Sequence, residues 1–516
     1  MDENSISLKI IRNTVFNIAG RSWSVLVSLA LTPYILHRIG MERFGIWALV
    51  GSLTGYFSLL DFGVGSSFVK YIAEFNARKE HEKVNQLVNS GWMLYSMLGI
   101  LIMAAALLLV RPLFVFLKIP AHLFGEAVFV FLSGTLLFII ANALSPFAAI
   151  QGGLQRMDIS NKIAAAISIP SIIGTILFLK AGYGLPGLMI NNAIILIISS
   201  ILNIIAAFKV LPGLRIDPFL SDWRMTKKLF RYGIKVYITR LEGILTYRID
   251  VLLIAYFLNI RLVSLYQLGN TIVDKARELP LLFVSAVVPA ASEIEAKKDK
   301  KRLYELYVRG TKYISMAGMP LLTFVFSSAN LIMAAWMNEV YAESVLVIRI
   351  LAPCYLINIL TGVSFSMVLG MGKPEILTKI SIFQAIANLL LSIVLVIKIG
   401  FAGVVIATLI SLTLSSVWFM AIFHRQIEYP LLGFVRKVFI PPLAASLFCG
   451  GIIFALNYSI AKISIPSGRL CNIGLLILEA VVFICFYAAI ILRSGYLDDY
   501  DKNIIKKRIF LNGFSL

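Results

Sequence analysis

Stretches of about 20 apolar residues recur from one end of this chain to the other, and each is long enough to cross roughly 30 Å of hydrocarbon as a helix. About fourteen such spans can be drawn, the first over 14–37 and the last over 470–492. Only 14% of the residues are charged, well below the roughly 25% typical of a soluble domain. The alternating pattern of a membrane barrel is absent, so each crossing must satisfy its own backbone as a helix. The expected fold class is all-α: a polytopic membrane protein with about 14 transmembrane helices.

The formal charge of +20 raises nucleic acid as a partner, but the placement of the charges argues against it. Lys and Arg gather in connectors of one parity: 67–87, 209–235, 291–312, 424–437 and the tail after 492. By the positive-inside rule these face the cytoplasm, together with both termini. The basic balance therefore reads as topology and contact with anionic lipid heads, with no nucleic-acid footprint.

The chain also repeats itself. "EFNARKEHEKVNQLVNSG" (74–91) returns 219 residues later as "EIEAKKDKKRLYELYVRG" (293–310). "GLQRMDISNKI" (153–163) returns after 217 as "GMGKPEILTKI" (370–380), and "KAGYG" (180–184) after 218 as "KIGFA" (398–402). Three matches in order at near-constant spacing imply two pseudo-symmetric six-helix bundles, 1–218 and 219–437, followed by two C-terminal helices and a basic tail over 438–516. An even number of crossings per half makes the repeat parallel, with a cavity expected between the halves and alternating access by rocking.

Six cations fall inside the expected spans: Arg21, Arg240, Arg248, Lys275, Arg277 and Arg349. Facing lipid, they would together cost on the order of 15–20 kcal/mol at about 2.5–3.5 kcal/mol each. They must therefore meet water, protein partners or ligand. In "RLEGILTYRIDVLLIAYFLNI" (240–260), Arg248 and Asp250 stand about 200° apart on a helix, and Arg240 and Asp250 about 15 Å apart along it. Good ion pairs within that helix are excluded. Arg21, Arg240 and Arg248, helped by Lys275 and Arg277, are expected to line a cavity for a phosphate-bearing substrate, since guanidinium forks match phosphate and keep their charge. Pairing to other helices is the alternative, and for "IVDKAREL" (272–279) the i,i+3 pairs Asp274–Arg277 and Lys275–Glu278 are equally plausible. Asp61 and Asp250 either counter the arginines or carry a coupling proton or sodium ion. Arg349 and Glu479 have no evident partner in the sequence. Gly51 and Gly55, spaced GxxxG, suggest close helix packing or a bend.

Cys354, Cys449, Cys471 and Cys485 form no CxxC, and the four histidines have neither metal spacing nor a nucleophile-base pattern. No catalytic residue or metal ligand is expected, and the outer loops are too short to house an enzyme domain.

On "LTPYILHRIGMERFGIWALVGSLTGYFSLLDFGVG" (31–65), "RIDVLLIAYFLNIRLVSLYQLGN" (248–270) and "GMGKP" (370–374), the chain resembles the O-antigen and capsule repeat-unit flippases of the multidrug/oligosaccharidyl-lipid/polysaccharide exporter superfamily. That resemblance implies a substrate of undecaprenyl-pyrophosphate-linked oligosaccharide, moved across the bacterial cytoplasmic (inner) membrane without a bound cofactor. Coupling to a proton, sodium or the membrane potential is implied, as are membrane lipids and a polysaccharide polymerase with its chain-length machinery as partners. It also places Arg21, Asp61, Arg240, Arg248, Asp250, Lys275 and Arg277 on the family's cavity-lining helices. A cation-coupled multidrug exporter of the same superfamily is the alternative, followed by a membrane glycosyltransferase or polymerase.

Overall fold

The computed structural model describes residues 3–282, 284, 287–462 and 468–501, with all side chains in them except those of 3–19, 21, 60, 235–247, 289 and 460–462. Among the described residues every regular element is helical. The chain forms two compact units, Met1–Gln267 and Leu268–Leu516. The first holds α1 (Glu3–Ile39), α2 (Met41–Tyr56), α3 (Val64–Ala77), α4 (His81–Phe116), α5 (Phe124–Gly153), α6 (Met157–Lys180), α7 (Gly184–Val210) and α8 (Trp223–Phe257). The chain passes into the second within α9 (Ile260–Leu281). There follow α10 (Val287–Ala296), α11 (Lys300–Ser327), α12 (Ala329–Met337), α13 (Ala342–Ile359), α14 (Thr361–Gly370), α15 (Pro374–Ile399) and α16 (Phe401–Gln426). A short α17 (Leu431–Phe434) leads to α18 (Ile440–Lys462) and α19 (Arg469–Arg493).

Nine helices among the described residues are long and apolar enough to cross a membrane, or eleven if each of two bent pairs is one crossing. α1, α8 and α9 are long helices outside that set. The bent pairs are α2 with α3, at 48°, and α11 with α12, at 76°. The apolar runs 44–66 and 313–330 are thus broken where the sequence suggests continuous spans. Ile100, Leu101 and Leu108 on α4 and Leu470, Ile477 and Ile484 on α19 are all more than half exposed. Apolar faces of that size are stable against lipid and not against water. The chain is a multi-pass membrane protein.

In the first unit, α8 runs antiparallel along α2 and α3. A Cβ on Gly233 of α8 would stand 2.6 Å from the Phe62 carbonyl oxygen, so the backbones nearly touch at the α2–α3 break. Further along α8, Arg248 reaches Gly51 of α2, and at the start of α9 Ser264 Oγ donates to the Met41 carbonyl. The core of this unit gathers Phe68, Tyr71, Phe75, Leu87, Phe147 and Leu229, all buried.

The connector from α7 to α8 is stitched onto α4. Asn85 Nδ2 donates to the Gly213 carbonyl and its Oδ1 accepts from Arg215 N, both at 2.9 Å. Asn89 repeats the pattern with the Arg215 carbonyl at 2.7 Å and Asp217 N at 2.9 Å, and Ser90 Oγ accepts from Asp222 N at 2.8 Å. Two buried carboxamides thereby replace the backbone partners a loop otherwise lacks.

In the second unit, α18 and α19 pack around Cys449, Ile453, Phe483 and Tyr487. Tyr487 Oη donates to the Met316 carbonyl of α11 at 3.1 Å. Beyond α19, Asp501 accepts hydrogen bonds from Lys312 and, at 2.6 Å, from Tyr313 Oη. The guanidinium of Arg309 lies 4.1 Å from the ring centre of Tyr500. The last described residues are therefore fastened to α11.

The repeated stretches share their local conformation. Left-handed residues close the helix-to-helix turns at Lys79 and Lys298, Lys118 and Asn338, Gln155 and Gly372, and Gly182 and Gly400. These pairs lie 219, 220, 217 and 218 residues apart, each within one residue of an offset that relates the sequence motifs. Tyr304, 219 residues after Asn85, likewise ties its helix to the connector after α16 by donating to the Ile427 carbonyl at 2.5 Å.

Candidate functional site

The two neighbouring charges of α8 go to different helices, as their angular separation requires. Arg248 Nη1 donates to the Gly51 carbonyl of α2 at 2.8 Å. Its guanidinium also fills the space that a Cβ on Gly55 would occupy. Asp250 is 1% exposed and accepts from Tyr266 Oη of α9 at 2.7 Å. Tyr56, half-buried on α2, lies within the fields of both charges.

Among the described residues, Arg248 pairs with no carboxylate. Of the five N–H donors a guanidinium carries, one is used by a described residue. The GxxxG of α2 thus serves neither backbone-to-backbone packing nor a bend at its glycines. A Cβ on Gly51 would meet nothing within 4 Å, and the Gly55 notch holds an arginine. The tight backbone approach on α2 belongs instead to Gly45, against the Ile260 carbonyl.

A cavity of about 410 Å³ lies between α2, α5 and α7, lined by Trp47, Gly51, Thr54, Phe138, Met189 and Asn192 among others. Gly51, whose carbonyl holds Arg248, is on its wall. A second void, of about 10 Å³, sits beside Asp61, Tyr95 and Asn142. Asp61 Oδ1 accepts a short hydrogen bond from Tyr95 Oη of α4 and a weaker one, at 3.3 Å, from Gly65 N of α3. Among the described residues Asp61 pairs with no arginine, so the counter-charge role expected for it has no partner there.

In the second unit the local pairs form. Lys275 Nζ donates to Glu278 Oε2 at 2.8 Å, and Arg277 lies 3.9 Å from Asp274. Arg277 also donates to Asn358 Oδ1 at 3.0 Å and stands over the Tyr355 ring at 4.8 Å. Both cations are engaged by protein groups. The side chains of Arg21 and Arg240 lie outside the described residues. Arg349 sits 5.5 Å over the Phe454 ring, and Glu479 Oε2 accepts from Ser328 Oγ at 2.7 Å and from Asn457 Nδ2 at 3.2 Å. Tyr95, Tyr266 and Asn358 carry no local signal, because each meets its charged partner only through space.

Residues 10–295 match the sequence family described as "Polysaccharide biosynthesis protein". The chain belongs to this polysaccharide biosynthesis family. It is 22% identical over 427 residues to the "Putative O-antigen transporter" of Shigella flexneri, covering 81% of this chain and 99% of that protein. The fold of this family member is similar to that of the lipid II flippase MurJ in its inward closed conformation, with a TM-score of 0.66 at 15% identity over 95% of this chain and 99% of that one. It is also similar to an inward-facing multidrug resistance MATE family transporter of the MOP superfamily, with a TM-score of 0.63 at 15% identity over 81% of this chain and 94% of the other. The fold of this family member is that of a membrane transporter.

Proposed function

We propose that this chain is a flippase that carries undecaprenyl-pyrophosphate-linked oligosaccharide repeat units across the cytoplasmic membrane by alternating access, for surface polysaccharide synthesis. Both termini are cytoplasmic in this reading. The observation that supports it is Arg248: a guanidinium on α8, seated on a glycine notch, with one carbonyl as its partner among the described residues. An arginine left so under-engaged in a membrane is costly unless an anion completes its coordination. A pyrophosphate can take the N–H groups that no described residue uses, through paired charge-assisted hydrogen bonds. Arg21 and Arg240 are assigned to the same anionic site from the sequence alone.

The test is Arg248→Ala in cells that depend on this protein for surface polysaccharide. The variant should insert normally and accumulate lipid-linked repeat units on the cytoplasmic leaflet. Wild-type surface polysaccharide in that variant would refute the assignment.

A second reading has one observation behind it. The apolar cavity of about 410 Å³ falls within the roughly 300–1,000 Å³ of drug-sized pockets, which suits a multidrug exporter. Drug resistance conferred on expression, unchanged by Arg248→Ala, would favour that reading.

A further inference from the structure

Two lysines of the first unit share one aromatic ring. Lys70 of α3 stands over Tyr71 at 4.8 Å and over Tyr232 at 4.0 Å. Lys228 of α8 stands over Tyr71 and over Phe75, both at 4.5 Å. Both ammoniums sit within cation–π range of Tyr71, so less than about 10 Å separates them. The rings beneath are fixed. Tyr71 and Phe75 stack at 6.1 Å within the buried core, and Tyr232 meets Tyr71 edge-on at 5.8 Å. Between the lysines, Ser67 Oγ of α3 donates to the Leu229 carbonyl of α8 at 2.9 Å and joins the two helices.

Like charges held this close repel, and ring faces offset only part of that repulsion. An anion between them removes it. The carboxylates nearest in sequence are committed elsewhere. Glu74, one turn from Lys70, pairs with Arg78 at 3.2 Å. Asp222 and Asp217, ahead of Lys228, accept from Arg224 N at 2.8 Å and from Phe219 N at 3.0 Å. Among the described residues neither lysine meets a carboxylate or donates a hydrogen bond. By contrast, Lys83, Lys297 and Arg302 each pair with an acid within four residues.

A second observation says what this pair faces. On the helical wheel of α8, Trp223 and Ile234 lie within about 20° of each other, and Lys227, Arg231, Arg224 and Lys228 follow over the next ~120°. That arc is the outward one: Trp223 is 77% exposed, and Arg224, Lys227 and Arg231 are exposed beside it. Four residues before Trp223, Phe219 is 96% exposed, in the connector that Asn85, Asn89 and Ser90 brace onto α4. A braced backbone that holds out two large aromatic side chains suits the boundary between lipid headgroups and acyl chains, where such rings gather. The adjoining cations match the phosphates of that layer.

We propose that Lys70 and Lys228, above the Tyr232–Tyr71–Phe75 rings, form a binding site for the phosphate of an anionic phospholipid, with Phe219 and Trp223 inserted at the boundary of the same leaflet. The two ammoniums reach the phosphate oxygens from α3 and from α8, so the bound lipid bridges the helices that Ser67 already joins and stabilises the first unit. Lysine suits this task because its ammonium meets a phosphate as a point charge and needs no fixed fork. A zwitterionic lipid carries its own cation, which the pair repels, so the site selects an anionic headgroup. In the flippase reading this face is cytoplasmic.

The test uses full-length protein in detergent, titrated with phosphatidylglycerol or with phosphatidylcholine. Bound lipid is counted by native mass spectrometry, and the melting temperature is followed alongside. The wild type should retain phosphatidylglycerol several-fold more tightly and melt higher with it. Lys70→Ala/Lys228→Ala should lose that preference. Lys301→Ala/Lys373→Ala removes the same charge from exposed positions of the second unit and should keep it. Equal preference in the two double variants overturns the site. Inorganic phosphate that raises the melting temperature as far as phosphatidylglycerol does would show a free-anion site and overturn the lipid assignment. In vesicles, brominated phosphatidylglycerol should quench tryptophan emission more in the wild type than in Trp223→Phe. If Lys70→Ala/Lys228→Ala does not fold, equal quenching in those two proteins overturns the proposal in its place. None of these signals requires transport, so the flippase reading stands or falls on its own test.

Discussion

Arg248 occupies the volume that a side chain on Gly55 would need, so the glycine of one helix and the arginine of another form a single fitted pair. The contact explains how the guanidinium is oriented on α8 with, among the described residues, no carboxylate to hold it. The notch fixes where the guanidinium lies, and the Gly51 carbonyl fixes its rotation by one hydrogen bond at 2.8 Å. Among the described residues, one of its five N–H donors is used by the protein.

The fit makes two neighbouring glycines unequal. Gly55→Ala forces the guanidinium out of its seat, whereas Gly51→Ala adds a methyl group to open space. Gly55→Ala should reduce surface polysaccharide several-fold with normal membrane insertion, and Gly51→Ala should leave it near wild type. Both are read by comparing lipid-linked and finished polysaccharide in the same cells. Equal losses in the two variants would show that the notch has no special role.

Much of this arrangement is legible along the chain, and the remainder fails for a physical reason. The repeat at 217–219 residues is visible in charged connectors because matching turns need matching punctuation, and the left-handed residues at Lys79 and Lys298 lie on that register. The divergence of Arg248 and Asp250 follows from helix periodicity. The pairing of Lys275 with Glu278 follows from i,i+3 proximity. By contrast, GxxxG announces a shallow groove and not its occupant, and nothing near Asp61 in sequence points to Tyr95, 34 residues away. The breaks after Tyr56 and Ser327 were hidden because apolar composition continues through them.

The connector between α7 and α8 should behave as a braced strut and not a free tether. Asn89 supplies one donor and one acceptor to it, and removing both leaves two backbone groups of Arg215 and Asp217 without those partners. Asn89→Ala should destabilise the first unit by about 1–3 kcal/mol, the usual penalty for unsatisfied buried groups. Limited proteolysis within 211–222 should accelerate accordingly. An unchanged cleavage rate would mean that Asn85 and Ser90 alone suffice.

The final prediction concerns the end of α19, outside the membrane spans. Asp501 is 3% exposed, and burial alone would raise its carboxyl; the hydrogen bonds from Lys312 and Tyr313 outweigh that and hold it down at about 2, below the ordinary 3.8. A depressed carboxylate contributes stability above its unfolded value and loses it as pH falls through the folded one. The latch should therefore contribute most of its stability above about pH 4 and lose it progressively as pH falls from there to about 2. Asp501→Asn leaves Lys312 buried without its counter-charge, which typically costs about 3–5 kcal/mol. The melting temperature of the purified protein in detergent should fall clearly at pH 7 in Asp501→Asn, with the double variant Asp501→Asn/Lys312→Met recovering part of the loss. A melting temperature insensitive to Asp501→Asn would mean that α18 and α19 are held by their apolar packing against α11 and not by this charged clasp.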